Sequence, residues 1–205
     1  MVRDLVQSVA SLCRDERRLK AGVGRFLGVA GFAGFMAIGA HVKIALPGTP
    51  VPFTLQTFFA VLAGAFLGPL DGALAIMTYL GVGALTFPIF AGDGAVGLAY
   101  LSGVTGGYLL GFLAAAVFVG FMVEWTNNFY AHLASFACGM ALIHLLGVVH
   151  MSYVLHIPMI KAAMLGSVPF IPGDILKAGA ALTAFMWMRS HACGVKWKYR
   201  MPWCR

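Results

Sequence analysis

Acidic side chains are scarce in this sequence: 7 Asp and Glu stand against 14 Lys and Arg, and charged residues of both signs make up only 10% of its 205 positions. So little charge excludes an ordinary water-soluble domain, where about a quarter of the residues are charged. Catalysis also lacks its usual parts, since no Ser, His and carboxylate constellation is recognisable and no catalytic residue is expected. The Gly-Lys-Ser/Thr ending of a phosphate-binding loop occurs nowhere, which rules out ATP hydrolysis by that route. Cysteine is sparse as well: Cys13, Cys138, Cys193 and Cys204 form neither a paired framework nor a Cys-x-x-Cys site, so they read as free thiols. Histidines at 132, 144, 150 and 156 suggest a haem or metal at first sight. Their spacing does not stack neighbouring rings on one helix face as an i, i+4 pair would, and neither a metal nor a cofactor is expected.

What the chain does have is apolar sequence. It is 60% hydrophobic with a mean hydropathy of +0.88, which belongs to the polytopic membrane class. Breaks at Gly, Pro and charge divide it into six runs: Arg25 to Ala45, Phe53 to Leu70, Gly72 to Ala91, Gly106 to Trp125, Phe129 to His150 and Pro172 to Arg189. The expected fold is all-α, with six transmembrane helices. The expected organisation is a basic N-terminal extension over 1–24, a membrane domain over 25–189 and a basic tail over 190–205. Of the 14 Lys and Arg, only Lys43 and Lys161 fall in the proposed outer loops and only Lys177 inside a span. Positive charge accumulates on the cytoplasmic side of spans, so both termini are expected to be cytoplasmic. The basic excess is thus a topology signal, and no nucleic-acid partner is expected; the partner is the lipid bilayer of the cell (inner) membrane, crossed several times.

The unusual motifs collect on one face, where odd spans end and even spans begin. Lys43-Ile-Ala-Leu-Pro-Gly-Thr-Pro-Val-Pro-Phe-Thr-Leu-Gln56 holds three prolines in six residues, which stiffen an extended loop above Thr54, Gln56 and Thr57. The next outer connection is dense in glycine from Gly92 to Gly107, a composition that lets backbone approach a ligand or a helix closely. Small residues at 30, 33, 37 and 40 form a strip on the first span, suited to close packing in lipid either internally or against a second protein. Gly64 with Gly68, and Gly107 with Gly111, are expected to pack within the chain.

The sharpest feature is Pro172-Gly-Asp-Ile-Leu-Lys177, which opens the last span with opposite charges three positions apart. Asp174 is the one carboxylate placed inside a predicted span, Glu124 standing at the end of the fourth run where the inner connection begins. An ion there costs about 2.5–3.5 kcal/mol even on insertion scales. Asp174 and Lys177 lie on one helical face, so they either neutralise each other or hold a polar ligand between them.

Taken in order, the Pro-Gly-Thr-Pro-Val-Pro-Phe-Thr-Leu-Gln run, Pro88-Ile-Phe-Ala-Gly92, Thr105-Gly-Gly-Tyr-Leu-Leu-Gly-Phe112 and Phe170-Ile-Pro-Gly-Asp-Ile-Leu-Lys177 resemble the BioY family, the biotin-binding S subunits of energy-coupling-factor transporters. The resemblance runs from about Gly31 to Met188 and departs at Val104, where the family usually carries proline. It implies a non-enzymatic subunit that captures biotin from outside and works with a transmembrane coupling subunit and two ATP-binding-cassette ATPases. Asp174 and Lys177 match its acidic and basic binding pair, and Ala33 and Ala37 its docking alanines. Biotin offers a carboxylate, a ureido group and an apolar ring. Tyr108, Gln56, Thr54, Lys43 and Phe90 are therefore expected beside the pair as further binding residues. The alternatives are the same architecture for another vitamin, a membrane-embedded enzyme using Asp174, and a purely structural subunit.

Overall fold

A computed structural model describes residues 2–85, 87–92 and 97–192, with side chains from 22 to 191. Helix α1, Val2–His41, is continuous through the basic extension and the first apolar run. The chain then forms a small antiparallel hairpin, β1 Lys43–Ile44 with β2 Phe53–Thr54, in the register Lys43 to Thr54. There follow α2 Gln56–Ala84, a short α3 Leu98–Ser102, α4 Gly106–Trp125, α5 Phe129–Leu155, α6 Met159–Gly166 and, after a 3-10 turn over Val168–Phe170, α7 Ile171–Ala192. Among the described residues five helical stretches are long and apolar enough to cross a membrane: Gly22–His41, Gln56–Ala84, Gly106–Trp125, Phe129–Leu155 and Met159–His191.

The second of these is two spans. A straight helix from Gln56 to Tyr79 would separate them by about 34 Å, yet the Gln56 amide donates to the Tyr79 hydroxyl at 2.8 Å. The reversal occurs at Gly68, with φ 81° and ψ 179°, followed by Pro69. A positive φ suits glycine, and proline starts the returning limb without needing the N–H it lacks. Gly72 lies so close to Ala63 and Gly64 on the outgoing limb that an added Cβ would meet the Ala63 carbonyl at 3.0 Å. The inner connection expected near Pro69 is thus almost loopless, and six membrane helices result. The limbs are about 18 and 24 Å long, shorter than a full bilayer crossing.

With no hydrophobic force between helices inside lipid, close backbone contact has to do the holding. Gly64 sits against the backbone of Ala116 on α4, and Gly111 of α4 against that of Ile143 on α5. Gly107 likewise faces Leu146 and Gly147, as expected of an internal packing glycine. Gly68 departs from that expectation, since its main work is to turn the chain. The helices alternate in direction, so Gly22 and the end of α7 lie at one end of the bundle, and the β-hairpin, the start of α4 and the start of α7 lie at the other.

The expected tail over 190–205 falls largely outside the described residues. Side chains of the extension do too, although its backbone is helical. Ala33 and Ala37 are half-buried and packed against this chain's own core, while neighbouring Gly31 and Gly34 have open space beside them.

Candidate substrate-binding site

At the end that carries the β-hairpin, the bundle opens into a cavity with about 470 Å³ of empty space including its open mouth. Its wall combines the hairpin loop (Val51, Pro52, Phe53), the start of α2 (Gln56, Thr57), Tyr100, Tyr108, Phe112, Phe170 and a polar group formed by Thr54, His144, Asp174 and Lys177.

That polar group is assembled from four elements. The Lys177 ammonium donates to Asp174 Oδ1 at 2.7 Å, to the Thr54 carbonyl at 2.7 Å and to Thr57 Oγ1 at 3.2 Å. Thr57 in turn donates to Asp174 Oδ1 at 3.2 Å. The other carboxylate oxygen pairs with His144 Nε2 at 2.7 Å. A carboxylate only accepts, so Nε2 carries the hydrogen. Lys177 also lies over the Phe53 ring, 3.5 Å from its centroid, a cation–π contact strengthened by desolvation. Asp174 is 4% exposed and Lys177 9%, so the pair is buried and its charges are matched locally.

The local sequence explains how these groups meet. Gly173 leaves room for the Phe53 ring, which stacks on Phe170 at 6.1 Å with planes 5° apart. The β-hairpin brings the Thr54 carbonyl down to the α7 lysine, and α5 running antiparallel to α7 brings His144 opposite Asp174. Tyr108 is anchored by donation to the Gly166 carbonyl at 2.5 Å, which also fixes the end of α6. Tyr100 stacks on Phe90 at 4.7 Å, and burial raises the Tyr100 phenol, keeping it a neutral hydrogen-bonding group.

Of the residues expected from sequence, the structure brings Asp174, Lys177, Tyr108, Gln56 and Thr54 to one cavity. Lys43 and Phe90 do not reach the lining. Lys43 donates to the Ala91 carbonyl at 3.0 Å and so ties the β-hairpin to the loop after α2. Phe90 is pressed onto Gly83 behind Tyr100 and contacts Tyr79 edge-on, a second layer that braces the wall. Thr57, which the sequence places with Thr54 and Gln56 below the proline-rich loop, lines the cavity, as does the adjoining aromatic Phe53; His144 was not among the expected site residues, yet it lines the cavity too.

The BioY family model matches residues 14–192, nearly the whole chain. The chain belongs to the BioY family. Among its relatives, the biotin transporter BioY of Thermotoga maritima is 38% identical over 159 residues, covering 78% of this chain and 87% of the relative. The biotin transporter BioY of Rhizobium etli is 32% identical over 157 residues, covering 71% and 82%. A crystal structure of the S-component for biotin from an ECF-type ABC transporter superposes with a TM-score of 0.76 at 25% identity, covering 82% of this chain and 92% of that one. The chain is therefore a multi-pass membrane protein of a transporter family, with the helical architecture of that S-component.

Proposed function

We propose that this chain is the S subunit of an energy-coupling-factor transporter: it captures biotin in the cavity between β2, α2, α4, α5 and α7 and delivers it inward with partner proteins. The observation that carries the reading is the buried Asp174–Lys177 pair at the wall of an aromatic cavity, where a ureido or carboxylate group can exchange for an internal hydrogen bond. A fully apolar wall would leave biotin's polar ends unpaired, at a cost of several kcal/mol. Tyr100, Tyr108 and Phe170 supply flat apolar surface for the ring and chain. The basic termini argue that the cavity faces outward across the cell membrane.

Energy for release has to come from elsewhere, because the sequence lacks a phosphate-binding loop. That requirement supports a transmembrane coupling subunit and two ATPases as partners, and the small-residue strip of α1 around Ala33, Gly34 and Ala37 as the docking face. The test is to purify the protein in detergent and titrate labelled biotin beside thiamine, riboflavin and lipoate. Saturable binding of biotin, recovered unchanged, is the expected result. Binding of another vitamin with no biotin signal would overturn the assignment.

A further inference from the structure

The polar cluster is unequal in what it leaves open. Lys177 has three donors, and the Thr54 carbonyl, Thr57 Oγ1 and Asp174 Oδ1 take all three. Asp174 Oδ1 accepts from both Lys177 and Thr57, which uses both of its lone-pair sites. Among the described residues, Asp174 Oδ2 accepts only from His144 Nε2. The unused acceptor of the carboxylate is therefore on Oδ2, beside the imidazole.

His144 is placed to control that oxygen. Its ring lies near-parallel to Phe170, 6.3 Å away and inclined by 23°, and meets Tyr108 edge-on at 6.4 Å, so aromatic neighbours on two sides define its plane. Its other nitrogen, Nδ1, is buried without a hydrogen-bond partner. One polar contact thus sets the rotation of the ring, and that contact is the carboxylate.

We infer that His144 is a positioning residue of the binding site: it holds Asp174 Oδ2 so that its free lone pair meets an N–H of the ligand, of the cyclic urea or amide class, while Lys177 secures Oδ1. The inference rests on the proposed capture of biotin, whose ureido group supplies such N–H donors. It assigns to α5 a share of specificity that the charged pair on α7 does not exercise by itself. Ligands presenting only acceptors at that point meet a carboxylate they cannot pair with, and are rejected.

Three substitutions separate positioning from simple packing. His144→Phe keeps a ring between Phe170 and Tyr108 and removes the donor. His144→Gln puts an amide N–H near the place of Nε2, whereas His144→Asn, one methylene shorter, puts it near Nδ1 and out of reach of Asp174. Biotin titrations of the purified proteins are expected to show about tenfold weaker binding for His144→Phe and His144→Asn, and binding within about threefold of the parent for His144→Gln, the tenfold step being that of one good polar contact. Parent-like binding by His144→Phe, or equal losses in the Gln and Asn variants, would overturn the role of His144 while leaving biotin capture intact. A parent protein that binds no biotin would overturn both.

Discussion

The two ends of the bundle carry similar charged groups and treat them differently. At the cavity end Asp174 and Lys177 are buried, and every donor of the lysine is used inside the protein. At the opposite end Arg25 forms a two-pronged ion pair with Asp71, at 2.6 and 2.8 Å, that fastens α1 to the turn of the α2 hairpin. The Arg25 side chain there is 66% exposed. Toward the same end of the bundle Arg189 donates to His132 Nε2 at 2.9 Å and to Asn127 at 2.8 Å, tying the end of α7 to the start of α5. Ions at that end close helix termini where water or headgroups can share their charge. Ions at the cavity end are withdrawn from water and line a cavity, and the cost of keeping charge there supports the proposed ligand site.

The largest effect is expected from breaking the buried pair. Asp174→Asn and Lys177→Met should each weaken biotin binding at least about tenfold, and each should lower stability by roughly 3–5 kcal/mol because the surviving partner is left unpaired. The double variant distinguishes structure from function. Removing a whole buried pair is often neutral for stability, so its thermal midpoint should return toward the parent while its biotin affinity stays low. A double variant that binds biotin as the parent does would make the cavity end no different in kind from the opposite one.

An intermediate effect is expected at Arg189. His132 is fully buried and its Nε2 accepts from a guanidinium that can only donate. Arg189→Met would leave that nitrogen without a partner, costing about 1–3 kcal/mol of stability. Biotin affinity should be unchanged, because the cluster lies at the far end of α7 from the cavity. An affinity loss matching the Asp174→Asn variant would show that the two ends are coupled.

How much of this was readable in sequence follows the same division. The six runs, the reversal near Pro69 and the pair on α7 were legible because each is a local signal: apolar length, a proline after glycine, two charges at helical spacing. His144 was not, because its meaning depends on which helix lies opposite. In an apolar run it looks the same as His132, which pairs with Arg189, and His150, which faces the Gly103 carbonyl at 3.1 Å. One signal was available. His132 and His144 lie about 18 Å apart along α5, and Arg189 and Asp174 about 22 Å apart along α7, so antiparallel packing sets both histidines near the two charged residues. Lys43 and Phe90 lie outside the cavity lining for the complementary reason. Both occur in loops at the correct end, but the folding of those loops turns Lys43 toward a backbone carbonyl and Phe90 beneath Tyr100.

The smallest effect is expected at Arg25. Its pair with Asp71 has good two-pronged geometry, yet an ion pair with one side chain this exposed competes with water and is screened by salt. The helices it joins are already held by close contacts, with Gly28 against Leu67 and Gly39 against Phe59 and the backbone of Gln56. Arg25→Gln should therefore leave biotin affinity within about threefold of the parent, less than one good polar contact is worth, and should shift the thermal midpoint little at moderate salt. Raising the salt concentration should bring parent and variant still closer together, since screening weakens only the parent's pair. A stability loss as large as that of Arg189→Met, persisting at high salt, would mean that the Arg25–Asp71 contact acts as a buried latch. The contrast between an end that uses charge to close helices and an end that uses it to hold a ligand would then rest on the cavity alone.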